Sequence, residues 1–417
     1  MRLVRPLVFR AMPPYDLLAI RARFPALAGT QAYLDGPGGS QVPDAVGAAM
    51  TEYLYGSNAN LGGVFPTSTA SESLMDEARR AAADFVGGSP NEIAFGPNMS
   101  TLNFLMAHAV ARTLEPGDEI ITTVLDHDAN ISPWIQVAED HGLYVRTVPV
   151  TDPDLTIDLA ALEAALSSRT RIVAFTLASN AVGTVSAARS IADLAHEAGA
   201  LAWADAVHFA PHRRIDVRAL GVDVLLCSPY KFFGPHLGLA WARKQLFESW
   251  PADRVRPADE TPPGHRFELG TQSHEAIAGF VAAVDYIASL GGGIDQAGRL
   301  DSAFARIQQH EEELARRFLI GLADVPGCRL HGIADPERVA ERTPTFCVTV
   351  DGHTPRHVAE RLAERGINVW DGNYYAPELM SHLGLEGYGG GVRIGFLHYT
   401  SSDEVDRALT ALRLTSL

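Results

Sequence analysis

The stretch "VDVLLCSPYKFFGPHLG", residues 222–238, decides how the fold of this chain is interpreted. Its first part is a continuous apolar run, which is typical of a strand buried on both faces of a parallel sheet. Ser, Pro and Gly follow and frame Lys231, which stands between Tyr230 and Phe232. No acidic residue lies within ten positions after this lysine, although enclosing a lysine costs hydration and rotamer freedom. From this stretch alone, an exposed loop lysine and a lysine enclosed for its chemistry are both open.

Upstream of this stretch, short apolar runs alternate with helix-patterned runs from about residue 70 to about residue 280. The helix-patterned segments include residues 68–87, 159–168 and 190–199, and the first begins at serine and threonine and ends at a pair of glycines. Apolar strands between helices indicate a wound α/β domain with helices on both faces of its sheet. The apolar runs are "EIAFG" (92–96), "EIITTVLDH" (119–127), "YVRTVPV" (144–150), "RIVAFTLASN" (171–180), "ALAWADAVH" (200–208) and "VDVLLCSP" (222–229).

The pattern changes at "SLGGGID", residues 289–295, which we interpret as a hinge. A long charged helix from about residue 300 to 322 follows, and strand-like and helix-like segments then alternate in an α+β layout. We therefore predict an α/β protein with a large domain of residues 31–289, built on a wound and mainly parallel sheet. Residues 1–30 and 290–417 would form a smaller α+β domain at the C-terminal side.

The composition of the chain limits which classes of binding partner are expected. The chain has 417 residues, of which 47% are hydrophobic and 20% charged, so it can bury a sizeable core. Its formal net charge of -16 argues against a nucleic-acid footprint, which needs a basic face, and favours a small-molecule partner. Arginines interrupt the apolar residues of the N-terminal segment, and no segment reaches membrane-spanning length without charges. We expect no membrane partner and a cytoplasmic location.

Three cysteines lack the paired spacing of a disulfide framework or a zinc site, so we expect buried thiols and no metal. We expect Cys227 and Cys347 to be fixed in the core. Cys328, in the turn-like "PGCRLHG", is the only one of the three for which the sequence allows exposure.

Polar residues interrupt the apolar runs where successive strands end. Ligands bind at the carboxyl ends of strands in open α/β sheets, so these residues are candidates for one site. Each alone is explained by helix capping or by a satisfied core histidine, but capping alone does not account for so many together. They are Asn98, Ser100 and Thr101 after the first strand, His127 and Asn130, Ser179 and Asn180, Asp205 and His208, and then Lys231.

These residue types are the parts that hold pyridoxal phosphate. An enclosed lysine with a lowered pKa can attack a carbonyl, and Lys231 suits that role. A carboxylate such as Asp205 can pair with a pyridinium nitrogen, and an aromatic ring can stack on the cofactor. The helix that starts near Ser100 and Thr101 offers free backbone N–H groups to a phosphate.

At these residues the chain resembles the class V aminotransferase family of fold-type I pyridoxal phosphate enzymes, and within it the cysteine desulfurase-like group. The resemblance runs over nearly the whole chain. Each motif alone is weak, but their order and spacing are specific for the fold and the cofactor. They are "YLDGPGGSQVP" (33–43), "NANLGGVFPTSTAS" (58–71), "SNAVGT" (179–184), "ADAVHFAPH" (204–212), "SPYKFFGPHLG" (228–238) and "VRIGFLHYTSSDEVDRAL" (392–409).

The resemblance implies a role for each matching residue. Lys231 is the lysine that bonds the cofactor, Asp205 pairs with the pyridine nitrogen, and His127 stacks on the ring. Arg393 fixes the substrate carboxylate, with Asn373 as a second substrate-binding candidate. The further cofactor ligands are Asn180 near the 3-hydroxyl group, His208 and Ser228 at cofactor oxygens, Ser100 and Thr101 at the phosphate, and Thr271, which the family delivers from the neighbouring subunit of a homodimer.

Two departures from the cysteine desulfurase pattern bear on the reaction. The loop that carries the persulfide cysteine in those enzymes corresponds here to "VWDGNYYAPELM", residues 369–380, which contains no cysteine. Tyr375 occupies or adjoins that place, and we consider it as a proton donor or as a packing residue. The family's histidine before the cofactor lysine is Tyr230 here.

We therefore predict a dimeric enzyme that uses pyridoxal phosphate and acts on a small amino acid through a Cα carbanion. The first hypothesis is a cysteine desulfurase-like C–S or β-elimination lyase that has no persulfide cysteine, with Lys231, His127, Asp205 and Tyr375 as catalytic residues. An aminotransferase or an amino-acid epimerase is the alternative, because both start from the same carbanion. A non-catalytic scaffold predicts loss of the lysine or the aspartate, and neither is lost.

Overall fold

The computed structural model describes residues 15–416. Two parts of the sequence analysis, the N-terminal segment and the first half of the 1–30 assignment, fall largely on residues 1–14 and lie outside the described residues. The described strands are β1 (Ala32–Tyr33), β2 (Ile93–Gly96), β3 (Glu119–Thr123), β4 (Tyr144–Val148), β5 (Val150–Thr151), β6 (Thr156–Ile157), β7 (Thr170–Thr176), β8 (Leu201–Asp205), β9 (Val224–Cys227), β10 (Gly238–Ala242), β11 (Cys328–His331), β12 (Thr345–Val350), β13 (Ile367–Asn368), β14 (Trp370–Gly372) and β15 (Gly391–Gly395).

Helices separate most of these strands, as the alternating pattern predicts. Among residues 15–416 no helix is both long enough and apolar enough to cross a membrane. The helices are α1 (Leu17–Arg21), α2 (Asp44–Gly56), α3 (Pro66–Val86), α4 (Met99–Ala111), α5 (Ser132–His141), α6 (Leu159–Ala165), α7 (Ala188–Glu197), α8 (Val217–Leu220), α9 (Lys244–Ser249), α10 (His274–Ser289), α11 (Gln296–Leu322), α12 (Pro355–Ala363), α13 (Pro377–His382) and α14 (Ser402–Thr415).

A seven-stranded sheet forms the centre of the larger part of the molecule, in the order β2-β10-β9-β8-β7-β3-β4. The pairs β4–β3, β3–β7, β7–β8 and β8–β9 are parallel, and β10 is antiparallel to both β9 and β2. The predicted wound, mainly parallel sheet is therefore confirmed. Because β10 reverses direction, β2 runs the same way as the parallel strands, and its carboxyl end lies at the same edge of the sheet.

Both faces of this sheet are buried, which explains the continuous apolar runs in the sequence. Successive side chains of a strand point to opposite faces. On β8, Ala202 and Ala204 pack into one hydrophobic cluster, whereas Trp203 packs into another. On β9, Leu225 likewise lies in the first cluster and Leu226 in the second. A strand that must be apolar on both faces shows no alternation.

A second sheet of four antiparallel strands, in the order β11-β12-β15-β14, forms the core of the C-terminal part. Its own hydrophobic cluster includes Phe318, Phe346, Phe396 and Leu412. Helices α11, α12 and α14 contribute to this cluster. The sheet places Arg393 on β15 opposite Cys347 on one side and Trp370 on the other.

Helix α11 connects the two cores. Its first half contributes Phe304 and Ile307 to the large cluster, and its second half contributes Phe318 to the smaller one. The glycines before it allow a close turn, because a Cβ atom on Gly291 would lie 2.1 Å from the carbonyl oxygen of Arg299. The division at residues 31 and 289 stays a prediction.

Candidate active site

The carboxyl ends of the parallel strands open into one cavity of about 970 Å³. Most of the strand-end residues singled out in the sequence meet there, together with residues of the C-terminal sheet. The lining includes Pro37, Asn98, Ser100, Phe104, His127, Asp128, Gln136, Asn180, Asp205, His208, Ser228, Tyr230, Lys231, Trp370, Asp371, Asn373, Tyr374, Tyr375 and Arg393.

Lys231 ends a short 3₁₀ turn, Pro229–Lys231, which follows β9 directly. Its Nζ donates a hydrogen bond of 2.7 Å to the carbonyl oxygen of Pro37 and lies 4.6 Å from the centre of the Tyr230 ring. Burial and, to a lesser extent, the Arg393 guanidinium lower the pKa of this amine to about 7, against the opposing effect of Asp205. A neutral amine is therefore accessible near neutral pH, as a nucleophilic lysine requires.

Asp205 ends β8 and is buried. One carboxylate oxygen accepts a hydrogen bond of 2.8 Å from the backbone N–H of Val207. Burial raises the pKa of this carboxyl to about 6, against the opposing effects of that hydrogen bond and of Lys231. A buried carboxylate with no cationic partner in contact is costly, so Asp205 is suited to a positively charged ring nitrogen.

His208 follows Asp205 by three residues and is buried beside it. Its Nε2 lies 3.1 Å from the hydroxyl of Thr343, which belongs to the C-terminal part of the chain. Burial lowers the pKa of this imidazole well below its usual value, so the ring is neutral. A neutral imidazole still offers one donor and one acceptor.

His127 caps a short turn after β3, and its Nδ1 accepts a hydrogen bond of 3.0 Å from the backbone N–H of Ala129. Burial, with help from Lys231 and Arg393, lowers its pKa to about 4. The neutral ring therefore carries its proton on Nε2. The Tyr375 ring stacks against it with centroids 5.4 Å apart.

The first turn of α4 lies at the cavity wall. Asn98 caps this helix, and its side chain accepts a hydrogen bond of 2.8 Å from the backbone N–H of Thr101. The hydroxyl of Ser228 accepts a hydrogen bond of 3.1 Å from the backbone N–H of Met99, which ties the end of β9 to the helix start. Ser100 lines the cavity. An amino-terminal turn of this kind favours an anion.

Arg393 is buried and points into the cavity from β15. Its Nη1 donates a hydrogen bond of 3.0 Å to the carbonyl oxygen of Asn180, and its guanidinium lies 4.5 Å from the centre of the Tyr374 ring. Burial lowers its pKa to about 10, so it stays charged at neutral pH. Its Nε is buried without a partner in the described chain.

The segment of residues 373–375 is anchored at several points. The backbone carbonyl oxygens of Tyr374 and Tyr375 accept hydrogen bonds from the Asn180 side chain, at 2.8 Å, and from the Asp128 backbone, at 2.7 Å. The Tyr374 hydroxyl donates to the carbonyl oxygen of Gly391. The Asn373 side chain accepts a hydrogen bond of 3.1 Å from Tyr375 N–H and lines the cavity. Tyr375 itself remains 71% exposed.

Four residues named as site candidates do not line this cavity: Thr101, Thr271, Asn130 and Ser179. Asn130 and Ser179 are buried. Thr101 is exposed on α4 and contributes its backbone to the helix cap. Thr271 is exposed in the segment before α10. All three cysteines belong to the described residues, and none lines the cavity. Cys227 and Cys347 are buried, as predicted, and Cys328 is half-buried at the start of β11 rather than in a turn.

Several residues that line the cavity were not predicted from the sequence. Pro37 belongs to the quoted segment "YLDGPGGSQVP", so the motif could have drawn attention to it. Tyr374 and Trp370 lie in the segment 369–380, where only Asn373 and Tyr375 were predicted as site residues. Phe104 and Gln136 lie on α4 and after the start of α5, where a helical pattern does not distinguish a cavity wall from an ordinary surface.

A family model described as aminotransferase class V matches residues 32–408. The chain belongs to the class V aminotransferase family. Among curated relatives, the aminotransferase-like protein FGM3 of Gibberella zeae is 33% identical over 420 residues, covering 96% of this chain and 98% of that relative. A cysteine desulfurase of Dickeya dadantii is 32% identical over 418 residues, covering 95% of this chain and 96% of that relative.

Solved structures agree with this membership. The apo structure of a cysteine desulfurase from Thermococcus onnurineus NA1 superposes with a TM-score of 0.86 at 26% identity, covering 96% of this chain and 98% of that one. The cysteine desulfurase CsdA from Escherichia coli gives a TM-score of 0.80 at 24% identity and supports the fold. The fold-type I prediction is confirmed, and this class V family member is a pyridoxal phosphate-dependent enzyme.

The cavity fits this cofactor. Pyridoxal phosphate presents a ring nitrogen, a hydroxyl, an aldehyde and a phosphate. Asp205 offers a buried carboxylate without a cation in contact, and the side-chain oxygen of Asn180 is buried without a hydrogen-bond partner in the described chain. Lys231 offers an amine with a lowered pKa, and the first turn of α4 offers backbone N–H groups.

Proposed function

We propose that this enzyme is a β-elimination lyase that acts on a small amino acid with a leaving group on Cβ, such as a cysteine-like substrate, and that no persulfide forms on the protein. The observation that carries this proposal is the set of residues that line the cavity. A lysine amine with a lowered pKa and a buried arginine face the same space, and no cysteine lines it.

Arg393 holds the substrate carboxylate. Its planar group can donate two parallel hydrogen bonds to a carboxylate, and its Nε has no partner in the described chain. The Tyr374 ring and the Asn180 carbonyl oxygen fix the orientation of the guanidinium. The substrate α-carbon is thereby held at the inner end of the cavity.

Lys231 moves the α-proton. When its amine is neutral it can accept a proton from the α-carbon, and Asp205 next to it favours the ammonium that results. Bound pyridoxal phosphate supplies an electron sink for the electron pair left at the α-carbon. Asp205 would hold the ring nitrogen, Asn180 and His208 the hydroxyl side, and His127 would cover the ring. Ser100, Ser228 and the start of α4 would hold the phosphate.

The positions of the cysteines support release of sulfur as a free thiol or sulfide. A thiolate is the nucleophile in persulfide formation, and burial opposes the charged form. Burial raises the pKa of Cys347 and Cys328 to about 12, and that of Cys227 still further. Tyr374 and Tyr375 line the cavity, and the segment that carries them, residues 369–380, contains no cysteine.

A panel of amino acids tests this proposal. The purified enzyme with added pyridoxal phosphate would be given L-cysteine, S-alkylcysteines, β-chloroalanine and L-alanine. The products would be scored for ketoacid, ammonia, thiol or sulfide, and racemised amino acid. Ketoacid and ammonia in equal amounts from the β-substituted compounds support the lyase. Ketoacid formed only with an amino-group acceptor would indicate an aminotransferase, and racemised L-alanine alone would indicate an epimerase.

We also propose that the enzyme acts as a homodimer in which Thr271 reaches the phosphate in the neighbouring subunit. Thr271 is exposed and does not line the cavity of its own chain. Large apolar side chains are exposed near α2 and the start of α3, including Val64 at 104% and Phe65 at 51%. A surface of this kind favours burial against a second copy.

Mixed dimers test the shared site. A Lys231→Ala subunit and a Thr271→Val subunit would be unfolded together and refolded. If Thr271 acts across the interface, one site of each mixed dimer regains both residues and the mixture recovers activity. No recovery, or a particle of one chain mass by light scattering, would contradict the proposal.

A further inference from the structure

Tyr230 lies with its ring beside the Lys231 amine, in a cavity that Arg393 also lines. Its ring lines the cavity and lies under the Lys231 amine, with 4.6 Å between Nζ and the ring centre. The His236 ring stacks on the same tyrosine at 4.9 Å, with the two planes 11° apart. A Cβ atom on Gly39 would lie 3.4 Å from the ring. The ring therefore packs against Lys231, His236 and the backbone at Gly39, and these contacts limit its motion.

The three tyrosines of the cavity differ in how their hydroxyls are used. The Tyr374 hydroxyl is committed to the carbonyl oxygen of Gly391. Tyr375 is mostly exposed, and its ring covers His127. The Tyr230 hydroxyl makes no hydrogen bond to any residue within 15–416. A half-buried phenol that is held by its ring and has an unused hydroxyl is a donor prepared for a ligand.

We infer that Tyr230 is a catalytic residue, the acid that protonates the leaving group on Cβ; this inference rests on the proposed β-elimination. As the bond from Cβ to sulfur breaks, its electron pair stays on sulfur, and the Tyr230 proton moves to that sulfur, so that a neutral thiol leaves. The electron pair of the Cα–H bond forms the Cα–Cβ double bond, and Lys231 takes the proton. The proton on Lys231 then restores the phenol, and both residues return to their starting charges.

The electrostatics agree with an acid role. Burial raises the pKa of the Tyr230 phenol, Arg393 opposes this effect, and Asp205 and Tyr375 add to it. The phenol is therefore protonated at neutral pH. A departing alkyl thiolate is a base of comparable strength, and matched acidities favour proton transfer.

Tyr230→Phe isolates the hydroxyl, because phenylalanine keeps the ring that contacts Lys231 and His236. Two substrates would be compared. S-Methylcysteine loses a basic thiolate that needs a proton, whereas β-chloroalanine loses chloride, which needs none. We expect kcat with S-methylcysteine to fall about 100-fold or more in the variant, in the range of general acid catalysis. Chloride release should be retained.

Two measurements control for structural damage. The dissociation constant of pyridoxal phosphate and the exchange of the α-proton of L-alanine with deuterated solvent should both match the wild type, because neither involves a leaving group. Tyr144→Phe, an exposed tyrosine on β4 outside the cavity, serves as the matched control for loss of a phenol.

Each other outcome contradicts a defined statement. If the wild-type enzyme releases no chloride from β-chloroalanine, the proposed lyase is wrong and the role of Tyr230 falls with it. Suppose that the wild-type enzyme acts on both substrates. If Tyr230→Phe then lowers kcat equally with both, or with neither, Tyr230 is not the acid that protonates the leaving group. If Tyr375→Phe, and not Tyr230→Phe, loses activity with S-methylcysteine while it still releases chloride from β-chloroalanine, then Tyr375 supplies the proton.

Discussion

The Nζ of Lys231 donates a hydrogen bond of 2.7 Å to the carbonyl oxygen of Pro37, which joins the lysine after β9 to the segment after β1. That bond positions the amine without supplying a negative charge. Burial therefore dominates, and the pKa of the amine falls to about 7.

This pKa predicts how the lysine reacts with pH. In the cofactor-free protein, the rate at which Lys231 is labelled by an aldehyde and borohydride should rise as pH increases through about 7, because the neutral amine is the reactive form. Labelling would be followed by mass spectrometry of the peptide. Lys244, which is exposed on α9, is the internal control. If the labelling rate of Lys231 rose only near the pH at which Lys244 reacts, the lowered pKa of Lys231 would be contradicted.

Asp205→Asn should bind pyridoxal phosphate yet lose most of its turnover. An amide fits the same space, but it cannot hold the ring nitrogen protonated, so removal of the α-proton becomes slow. We expect kcat to fall about 100-fold or more. Cofactor content would be measured by absorbance and α-proton exchange by NMR. Unchanged exchange in the variant would remove Asp205 from this role.

Arg393→Lys should weaken binding of the amino acid more than binding of the cofactor. An ammonium cannot reproduce two parallel hydrogen bonds to a carboxylate. A lost charged hydrogen bond of about 1.5–3 kcal/mol corresponds to roughly a 10- to 100-fold rise in KM. Steady-state kinetics and a cofactor titration separate the two effects. An unaltered KM with weaker cofactor binding would place Arg393 at the phosphate instead.

Replacement of all three cysteines by alanine should leave turnover per folded site intact. Cys227 and Cys347 are buried, so their loss costs stability, about 1 kcal/mol each, and lowers Tm by a few degrees. None of the three lines the cavity. Turnover would be normalised to bound cofactor. A persulfide on Cys328 in the wild-type enzyme, together with loss of activity in Cys328→Ala, would contradict this prediction and indicate a cysteine desulfurase.

Sequence patterns were sufficient for most of the fold. The apolar run "EIAFG" contains β2, Ile93–Gly96, and the helix predicted from about residue 300 to 322 is α11, which begins at Gln296. Breaks inside apolar runs were harder to predict. "YVRTVPV" is two strands, because Pro149 has no N–H to donate to a ladder.

The site residues were predictable where a strand end fixes their place. Lys231 follows β9, Asp205 ends β8 and His127 follows β3, so the topology brings them to one edge of the sheet. Tyr374 was not predictable in this way. Its position depends on contacts with Asn180 and Arg393, which lie far away in sequence and meet only through packing of the two sheets. The roles themselves stay predictions.

Borohydride reduction and peptide mapping test whether Lys231 is the residue that bonds the cofactor in an active enzyme. The protein would be saturated with pyridoxal phosphate, reduced with borohydride, digested and mapped by mass spectrometry, alongside Lys231→Ala. We expect one modified peptide, at Lys231, with close to one cofactor per chain, and no such peptide in the variant. Modification at Lys244, or a single modified lysine in Lys231→Ala, would contradict it.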